Sequence, residues 1–384
     1  MILISILFYC YIICILALAI GYDKIKEFKN TIAVEKTAFT VIIPFRNEAK
    51  NLPQILKSIS ELNYSTELVE FIFVDDDSSD NSVEIINGYL RHSLETMKVD
   101  LDPVRPDITT ITNTRVSNSP KKDAISTALK SSKNTWIITT DADCIFPQNW
   151  LKTIDAFIQQ NDCNMIVAPV SYSSNGTFLH QFQELDFMSL QATTAAGFGL
   201  GIPFLSNGAN FMYKKAVFEK IKGFDGNDSI ASGDDVFLLE KFLMFDNKKV
   251  CFLKSKEAIV KTFPLNSFSE LIQQRVRWAS KTSNYNLVTG KLIAVFVLMG
   301  NLIIAIAPLL AFFKIMALKT FISFFLLKLF FDYLLLERAY LFENKKIKFT
   351  SYFKSSLVYP YFTLLIFLKS LFSKYQWKGR TFKK

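Results

Sequence analysis

The sequence predicts a doubly wound, mostly parallel α/β sheet domain with transmembrane helices on both sides of it in the chain. Apolar, β-branched runs alternate with segments of helical spacing over much of residues 37–266. Two uncharged runs, 2–20 and 292–313, are each long enough to cross a bilayer as a helix. Of the 384 residues 50% are hydrophobic, which is too apolar for an ordinary soluble protein of this length.

Strands and helices alternate in the first part of the predicted domain. The predicted strands are 39–43, 68–74, 108–113 and 136–140. The predicted helices between them are 52–60, 78–90 and 122–132. Ligands of such sheets bind beyond the carboxyl ends of the strands, so the residues that follow each strand are the first candidates for a site.

Charged and polar side chains follow three of the four strands. They are Arg46, Asn47 and Glu48 after the first, Asp75, Asp76 and Asp77 after the second, and Asp141 and Asp143 after the fourth. Each cluster alone also fits a turn or a helix cap. Gathered at one edge, like charges repel unless a cation or hydrogen-bond donors compensate them.

The pair Asp141 and Asp143 predicts a metal site. In an extended segment, residues i and i+2 point to the same side, so both carboxylates would face one ligand. Hard oxygen ligands suit Mg²⁺ or Mn²⁺, which keep positions open for phosphate oxygens. Lys121 and Lys122, which precede the helix leading into this strand, either neutralise a diphosphate or form a solvated helix start.

The first apolar run predicts the orientation in the membrane. A cleaved signal peptide is the alternative, because Ala17-Leu18-Ala19 fits a cleavage pattern, but the run is long and lacks a basic leader. The basic residues Lys24, Lys26 and Lys29 follow the run. By the positive-inside rule, the N-terminus lies outside and the sheet domain lies in the cytoplasm.

The last two apolar runs are less regular. Residues 321–336 contain Lys328 and Asp332, and residues 357–372 are short and broken by Pro360. Four spans would place the basic tail outside, so we expect 355–372 to be re-entrant or interfacial. The predicted organisation is an N-terminal transmembrane helix (1–22), a linker (23–36), the sheet domain (37–266), an amphipathic interfacial helix (267–285), two transmembrane helices (286–338), and a cytoplasmic loop with a membrane-associated or re-entrant segment and basic tail (339–384).

Charge and cysteine usage point to a membrane surface and a reducing compartment. The net charge of +9 is concentrated near the apolar runs and in the tail, where it would attract anionic lipid headgroups. The five scattered cysteines show no metal-ligand spacing and predict free thiols. No nucleic-acid-binding motif is present, so we expect no nucleic-acid partner.

Six motifs together carry a family resemblance. VIIPFRNEAKNL, FVDDDSSD, KKDAISTAL, TTDADC, SGDDVFLLEKF and QRVRW occur in this order between residues 41 and 278. No single motif is specific, but the ordered set closely resembles the membrane-bound family 2 glycosyltransferases of the GT-A fold, which is a Rossmann-like sheet fold. The resemblance implies a GT-A catalytic domain.

The resemblance also implies roles for individual residues. Asp141 and Asp143 match the family's DxD, with Asp143 as the direct metal ligand, and Asp235 matches the catalytic base. Where the family has glycine before its lysine this chain has Pro120, so the choice between Lys121 and Lys122 stays open. The residues implied in binding the donor and its metal are Pro44, Arg46, Glu48, Asp75, Asp76, Lys121, Lys122, Asp141, Asn207, Gly208, Asp234 and the QxxRW residues Gln274, Arg277 and Trp278.

The function implied is an inverting, metal-dependent glycosyl transfer. The donor would be a nucleotide-diphosphate sugar, with UDP the commonest family partner, and the acceptor a lipid, a lipid-linked group or a glycan. The expected place is the cytoplasmic face of a bacterial inner membrane. A processive polysaccharide synthase, a catalytically silent nucleotide-binding scaffold and a transporter are the alternatives, and too few spans remain for the last.

Overall fold

A computed structural model of the chain describes residues 1–30, 34–97, 107–173, 176–227, 233–372, 375–377 and 380–382. The chain divides into two compact units. The sheet unit consists of Glu27–Ser173 and Ser206–Phe263, and the helical unit consists of Met1–Lys26, Ser174–Leu205 and Pro264–Lys384. Residues 31–33 of the predicted linker, Ser232 of the SGDD motif and the tail residues Lys374, Lys378, Lys383 and Lys384 lie outside the described residues.

The regular elements are numbered in chain order. The helices are α1 (Ile2–Lys24), α2 (Leu52–Ser60), α3 (Ser82–Met97), α4 (Pro120–Ser131), α5 (Trp150–Gln160), α6 (Phe178–Gly199), α7 (Lys215–Lys220), α8 (Asp234–Asp246), α9 (Phe268–Ala279), α10 (Val288–Phe312), α11 (Leu318–Phe342) and α12 (Phe349–Phe372). The strands are β1 (Phe39–Phe45), β2 (Val69–Asp75), β3 (Asp107–Thr112), β4 (Trp136–Thr139), β5 (Met165–Val167), β6 (Val170–Tyr172), β7 (Phe211–Lys214), β8 (Val250–Phe252), β9 (Val260–Thr262), β10 (Tyr375–Trp377) and β11 (Arg380–Phe382).

The main sheet has seven strands in the order β3-β2-β1-β4-β7-β5-β8. Strands β3, β2, β1 and β4 run parallel, β7 runs antiparallel to both of its neighbours, and β8 is parallel to β5. Strands β6 and β9 form a small parallel pair, and β10 and β11 form an antiparallel pair. This mostly parallel sheet confirms the predicted fold class.

The central strands are buried along their length. All of Phe39–Ile43 in β1 and all of Trp136–Thr139 in β4 are buried. Near-continuous apolar runs of this kind are typical of parallel strands covered on both faces. Helix α3 begins at Ser82 rather than at the predicted residue 78, because the preceding turn is held by side chains. The Ser78 amide donates to Asp75 Oδ1 (3.0 Å) and the Ser82 amide to Asp80 Oδ1 (3.1 Å).

Helix α6 belongs to the helical unit, although the sequence prediction placed it inside a continuous domain over 37–266. Its end packs backbone to backbone against α1. A Cβ atom at Gly199 would lie 1.8 Å from the carbonyl oxygen of Gly21, so only glycine allows this contact. A backbone approach of this kind leaves no hydrophobic pattern in the sequence, which is why the prediction missed it.

Among the described residues, three helices are long and apolar enough to cross a membrane, judged by length and composition: α1, α10 and α12. The expected break at Pro360 is wrong, because α12 continues through it and begins earlier, at Phe349. A proline inside a helix removes one backbone hydrogen bond, and packing against neighbouring helices makes this tolerable. Pro360 is buried, which agrees with this explanation.

The prediction of five free cysteines is wrong for two of them. Cys163, just before β5, forms a disulfide with Cys251 in β8, with the Cα atoms 6.2 Å apart. Cys10, Cys14 and Cys144 are free. The bonded pair is separated by 88 residues, and only the pairing of β5 with β8 brings it together. Cysteine usage therefore no longer supports a reducing compartment.

We expect alkylation of the unfolded, unreduced protein to label three thiols, and five after reduction. Cys251→Ser should lower the free energy of unfolding by about 2–4 kcal/mol, because it releases a cross-link that closes a long loop. Intact-mass spectrometry and urea titration provide the two measurements. Cys10→Ser is the matched control, and labelling of five thiols without reductant would contradict the disulfide.

Candidate active site at the carboxyl edge of the sheet

The sheet topology brings four chain segments to one edge. The carboxyl ends of the parallel strands β1, β2 and β4 lie there together. Strand β7 is antiparallel to β4, with Phe211 opposite Thr139, so the segment before β7 reaches the same edge. The Thr140 hydroxyl donates to the carbonyl of Ala209 (2.8 Å) and ties this segment to the end of β4.

A lysine lies between carboxylates at this edge. Lys121, in the first turn of α4, places its Nζ 2.6 Å from Asp141 Oδ1 and 3.3 Å from Asp234 Oδ2. Burial alone would lower the pKa of Lys121, but the charges of Asp141, Asp234 and Asp235 outweigh burial and raise this pKa above its ordinary value. The ammonium group therefore stays charged and balances carboxylates from two other elements.

Gly208 allows these groups to meet. Its amide donates to Asp235 Oδ2 (3.2 Å). A Cβ atom at this position would lie 3.0 Å from Asp234 Oδ2 and 3.1 Å from Lys121 Nζ, which is tighter than ordinary contact. The Asn207 side chain accepts from the Ala209 amide (3.0 Å) and shapes the same turn. The predicted residues of this turn and of the start of α8 are therefore brought together with Lys121.

The DxD segment is a turn and not the extended segment predicted. Strand β4 ends at Thr139, and the Cys144 amide donates to the Asp141 carbonyl (3.2 Å). The i, i+2 argument for Asp141 and Asp143 is therefore wrong, since it requires a pleated strand. The Cys144 thiol lies beneath the turn, where burial and then the charges of Asp143 and Asp141 raise its pKa.

The donor set of this turn fits a hard divalent cation. Its side chains are carboxylates, and the side chain of Asp141 is 43% exposed, open to a ligand. Among the described residues, no group of three His, Cys, Asp or Glu side chains forms a ready cage. Mg²⁺ is commonly bound by one or two carboxylates, with substrate phosphates and water completing its shell, so the residues present fit such an ion.

A second cluster joins the loops after β1 and β2. Arg46 Nη1 donates to the carbonyls of Asp76 (2.6 Å) and Asp77 (2.5 Å) and contacts Asp77 Oδ2 at 3.0 Å. Asn47 and Asp77 both have left-handed backbones, with φ of 53° and 64°. Non-glycine residues in this region are strained, and such strain concentrates at functional sites.

Asp76 is buried and holds two partners that sequence reasoning missed. Its Oδ1 accepts from Asn113 Nδ2 (2.7 Å) and lies 3.5 Å from Arg115 Nη1. Arg115 Nε also donates to Asp123 Oδ2 (3.3 Å). Asn113 and Arg115 follow β3. The rule that ligand-binding residues follow the parallel strands, which was applied to the other strands, was therefore sufficient to find them.

The other predicted donor residues shape the same loops. Glu48 Oε2 accepts from Asn51 Nδ2 (2.6 Å), and the Glu48 amide donates to Ser82 Oγ (2.8 Å). Asp75 Oδ1 accepts from the Ser78 amide, and Pro44 pairs with Val74 of β2. These contacts connect the loops after β1 and β2.

The structure separates the two candidate lysines. Lys122 is buried, with 2% of its surface exposed, and its Nζ donates to the carbonyl of Asn227 and lies 4.9 Å from the ring centroid of Phe237. Lys121 contacts the carboxylates of the edge, at Asp141 and Asp234. Gln274, Arg277 and Trp278 lie on α9 and belong to the helical unit.

Two family profiles match the chain. The profile described as Glycosyl transferase family 2 matches residues 40–222, and the profile described as Glycosyl transferase family group 2 matches residues 136–368. The second match covers more than half of the chain and runs from β4 into α12.

Two curated relatives illustrate the similarity. The chain is 21% identical over 268 residues to a poly-beta-1,6-N-acetyl-D-glucosamine synthase of Staphylococcus epidermidis, covering 67% of this chain and 59% of that protein. It is 42% identical over 66 residues to a 4,4'-diaponeurosporenoate glycosyltransferase of Staphylococcus haemolyticus, covering 17% of this chain and 16% of that protein. The chain therefore spans less than two thirds of the length of either relative.

A solved structure shows the same fold. A mannosyltransferase from Pyrobaculum calidifontis, in complex with GDP-Man and Mn²⁺, matches with a TM-score of 0.57 at 16% identity. The match covers 97% of both chains. At this identity the likeness shows the fold alone, including the GT-A-like sheet.

Lys121→Met should lower the free energy of unfolding at pH 7 by about 1–3 kcal/mol, because it removes charged hydrogen bonds from half-buried carboxylates. The folded pKa of Lys121 lies above the unfolded one, so this stabilisation is fully present below about pH 10 and is lost as pH rises through the folded pKa. Denaturant titration from pH 7 to 11 measures the difference between variant and wild type.

Lys57→Met is the control for this comparison, since Lys57 forms only an exposed pair with Glu61 at 3.7 Å. It should change stability by less than about 0.5 kcal/mol. If Lys121→Met also changed the free energy of unfolding by less than about 0.5 kcal/mol at every pH, the assigned charge balance would be contradicted.

Proposed function

This chain belongs to glycosyl transferase family group 2, and we propose that it moves a sugar from a nucleotide-diphosphate sugar to an acceptor hydroxyl, with inversion at the anomeric carbon. The observation that carries this proposal is the meeting of Lys121, Asp141, Asp234 and Asp235 at one edge of the sheet. A cation among carboxylates at a ligand-binding edge suits a reaction in which a diphosphate departs and a hydroxyl loses its proton.

Asp235 is proposed as the catalytic base. One oxygen, Oδ2, accepts from the Gly208 amide, and the other, Oδ1, accepts from the Val236 amide (2.8 Å). These bonds fix the carboxylate in the first turn of α8, where the helix dipole favours its charged form. A fixed, charged carboxylate takes the proton of the acceptor hydroxyl as its oxygen attacks the anomeric carbon and the nucleoside diphosphate leaves from the opposite side.

We further propose that a divalent cation, Mg²⁺ or Mn²⁺, is held by Asp143 directly and by Asp141. When bound, it would supply positive charge to the departing diphosphate. Two features support this: the carboxylate turn after β4, and the Mn²⁺ named with the structurally similar mannosyltransferase. Lys121 provides a permanent positive charge beside the same turn, whereas the Lys122 ammonium is engaged with Asn227.

The remaining predicted residues are assigned to donor and acceptor. The base and ribose of the nucleotide are proposed to be bound by Pro44, Arg46, Glu48, Asp75 and Asp76. UDP is our first choice of nucleotide. The hydrogen bonds of these residues already order the loops at the carboxyl edge. The donor sugar is proposed to be bound by Asn207, Gly208 and Asp234. The diphosphate and the acceptor are proposed to be bound by Gln274, Arg277 and Trp278, since Arg binds phosphate and Trp stacks on sugars.

A lipid or lipid-linked acceptor at the cytoplasmic face of a bacterial inner membrane is the proposed setting. The span-length helices α1, α10 and α12 support a membrane location, and Lys24, Lys26 and Lys29 at and after the end of α1 support the cytoplasmic side. The similarity to a poly-beta-1,6-N-acetyl-D-glucosamine synthase favours a second candidate, a processive polysaccharide synthase. Product size distinguishes the two candidates, because single transfer adds one sugar to the acceptor and a processive synthase makes a polymer. A silent scaffold has no observation in its favour.

Purified protein with a panel of nucleotide sugars and membrane-lipid acceptors should release nucleotide from one donor. Asp235→Asn should lower kcat by about 100- to 10,000-fold while donor affinity stays near wild type, because the amide cannot accept the proton. Asp225→Asn, an exposed carboxylate ten residues earlier, is the control and should be fully active. Wild-type turnover by Asp235→Asn would remove the assigned base, and no donor turnover by the wild type would refute the proposed function.

Chelation by EDTA should abolish transfer, and added Mn²⁺ or Mg²⁺ should restore it. Asp143→Ala should weaken binding of Mn²⁺ in the presence of nucleoside diphosphate by at least about tenfold, because it removes a direct ligand. Electron paramagnetic resonance measures this binding without turnover. Asp162→Ala, which removes an exposed partner of Lys249, is the control. Full activity in EDTA would contradict the metal site.

A further inference from the structure

Arg275 occupies the second position of the QxxRW segment, between Gln274 and Arg277, and the family motif leaves this position unspecified. Its side chain is buried in the helical unit, with 5% of its surface exposed. Burying a guanidinium group is costly unless it is paired and hydrogen-bonded. Its partners therefore indicate why an arginine is placed there.

The charge partner of Arg275 comes from α6. Arg275 Nε donates to Asp186 Oδ2 at 2.6 Å, and the Asp186 side chain is 7% exposed. This charge-assisted hydrogen bond holds the guanidinium group against α6.

The same guanidinium group contacts both ends of the motif. Arg275 Nη1 donates to Gln274 Oε1, and the guanidinium carbon lies 4.2 Å from the ring centroid of Trp278. Residues three apart lie on the same face of a helix, which places Trp278 next to Arg275. Phe187, which follows Asp186 in α6, packs against Trp278 with the ring centroids 6.3 Å apart.

Apolar contacts already attach α9 to its neighbours. Leu271 and Val276 are buried in a cluster with Phe182 of α6 and with Phe362 and Ile366 of α12. The Asp186–Arg275 pair is therefore an addition to apolar contacts that themselves dock the helix. A buried ion pair is weak evidence for stability, and its distinctive property is fixed geometry.

We propose that Asp186 and Arg275 are positioning residues that hold Gln274 and Trp278 in the orientation required for glycosyl transfer. This inference rests on the proposed function, since it assigns the pair a role in that reaction. Neither residue touches substrate in this proposal. Both act through the side chains of the QxxRW motif.

Two variants test the proposal. Arg275→Lys keeps the charge but loses the planar fork that reaches Gln274 and stacks on Trp278. Asp186→Leu/Arg275→Met replaces the pair by apolar side chains, which commonly preserves or raises stability. Both should lower kcat by about 10- to 100-fold with little change in donor KM, and the double variant should keep its Tm within about 3 °C of wild type.

Arg338→Lys is the matched control, because Arg338 forms another Arg–Asp pair of the helical unit, with Asp23 at 2.7 Å, but in an exposed setting. It should leave kcat unchanged. A double variant with wild-type Tm and wild-type kcat would overturn the proposal, as would an Arg275→Lys variant with wild-type kcat. An inactive wild type would instead count against the proposed function, so the two failures are distinguishable.

Discussion

Charge balance around Lys121 is the constraint on which the candidate site depends. Its ammonium group lies 2.6 Å from Asp141 and 3.3 Å from Asp234, and these carboxylates come from the turn after β4 and the start of α8. Without a cation, carboxylates from two elements would repel at a half-buried edge. The glycine at position 208 follows from the same constraint, because any larger residue would enter the space between Lys121 and Asp234.

The antiparallel strand β7 makes this arrangement of charges possible, and the buried side-chain amide of Asn210 fixes the segment that leads into β7. Asn210 Nδ2 donates to the carbonyls of Pro169 and Ala258, both at 2.8 Å, and its Oδ1 accepts from Trp150 Nε1 (3.1 Å). Segments far apart in the sequence therefore hold the residue that follows Gly208 and Ala209. A site that must place charged groups within tenths of an ångström benefits from such a rigid support.

The sequence predicted the strands well because buried parallel strands are nearly continuous apolar runs, and it predicted the edge because loops after such strands converge. It did not distinguish Lys121 from Lys122, because adjacent helix residues face different directions and only the packing of α4 decides which one meets Asp141. The direction of β7 and the Cys163–Cys251 bond escaped prediction for a related reason. Both depend on pairing between distant segments, which leaves no local pattern.

Buried ion pairs also explain why hydropathy describes the helical unit incompletely. Helix α11 is 25 residues long, but its charged residues keep it out of the candidate spans found among the described residues. Two of these charged residues are Lys328 and Asp332. These two side chains form an i, i+4 ion pair at 2.5 Å, and the hydroxyl of Tyr11 on α1 donates to the same carboxylate. A paired and hydrogen-bonded charge costs far less in an apolar environment than an isolated one. Residue-by-residue hydropathy counts both charges at full cost, so it underestimates how readily α11 packs among apolar helices.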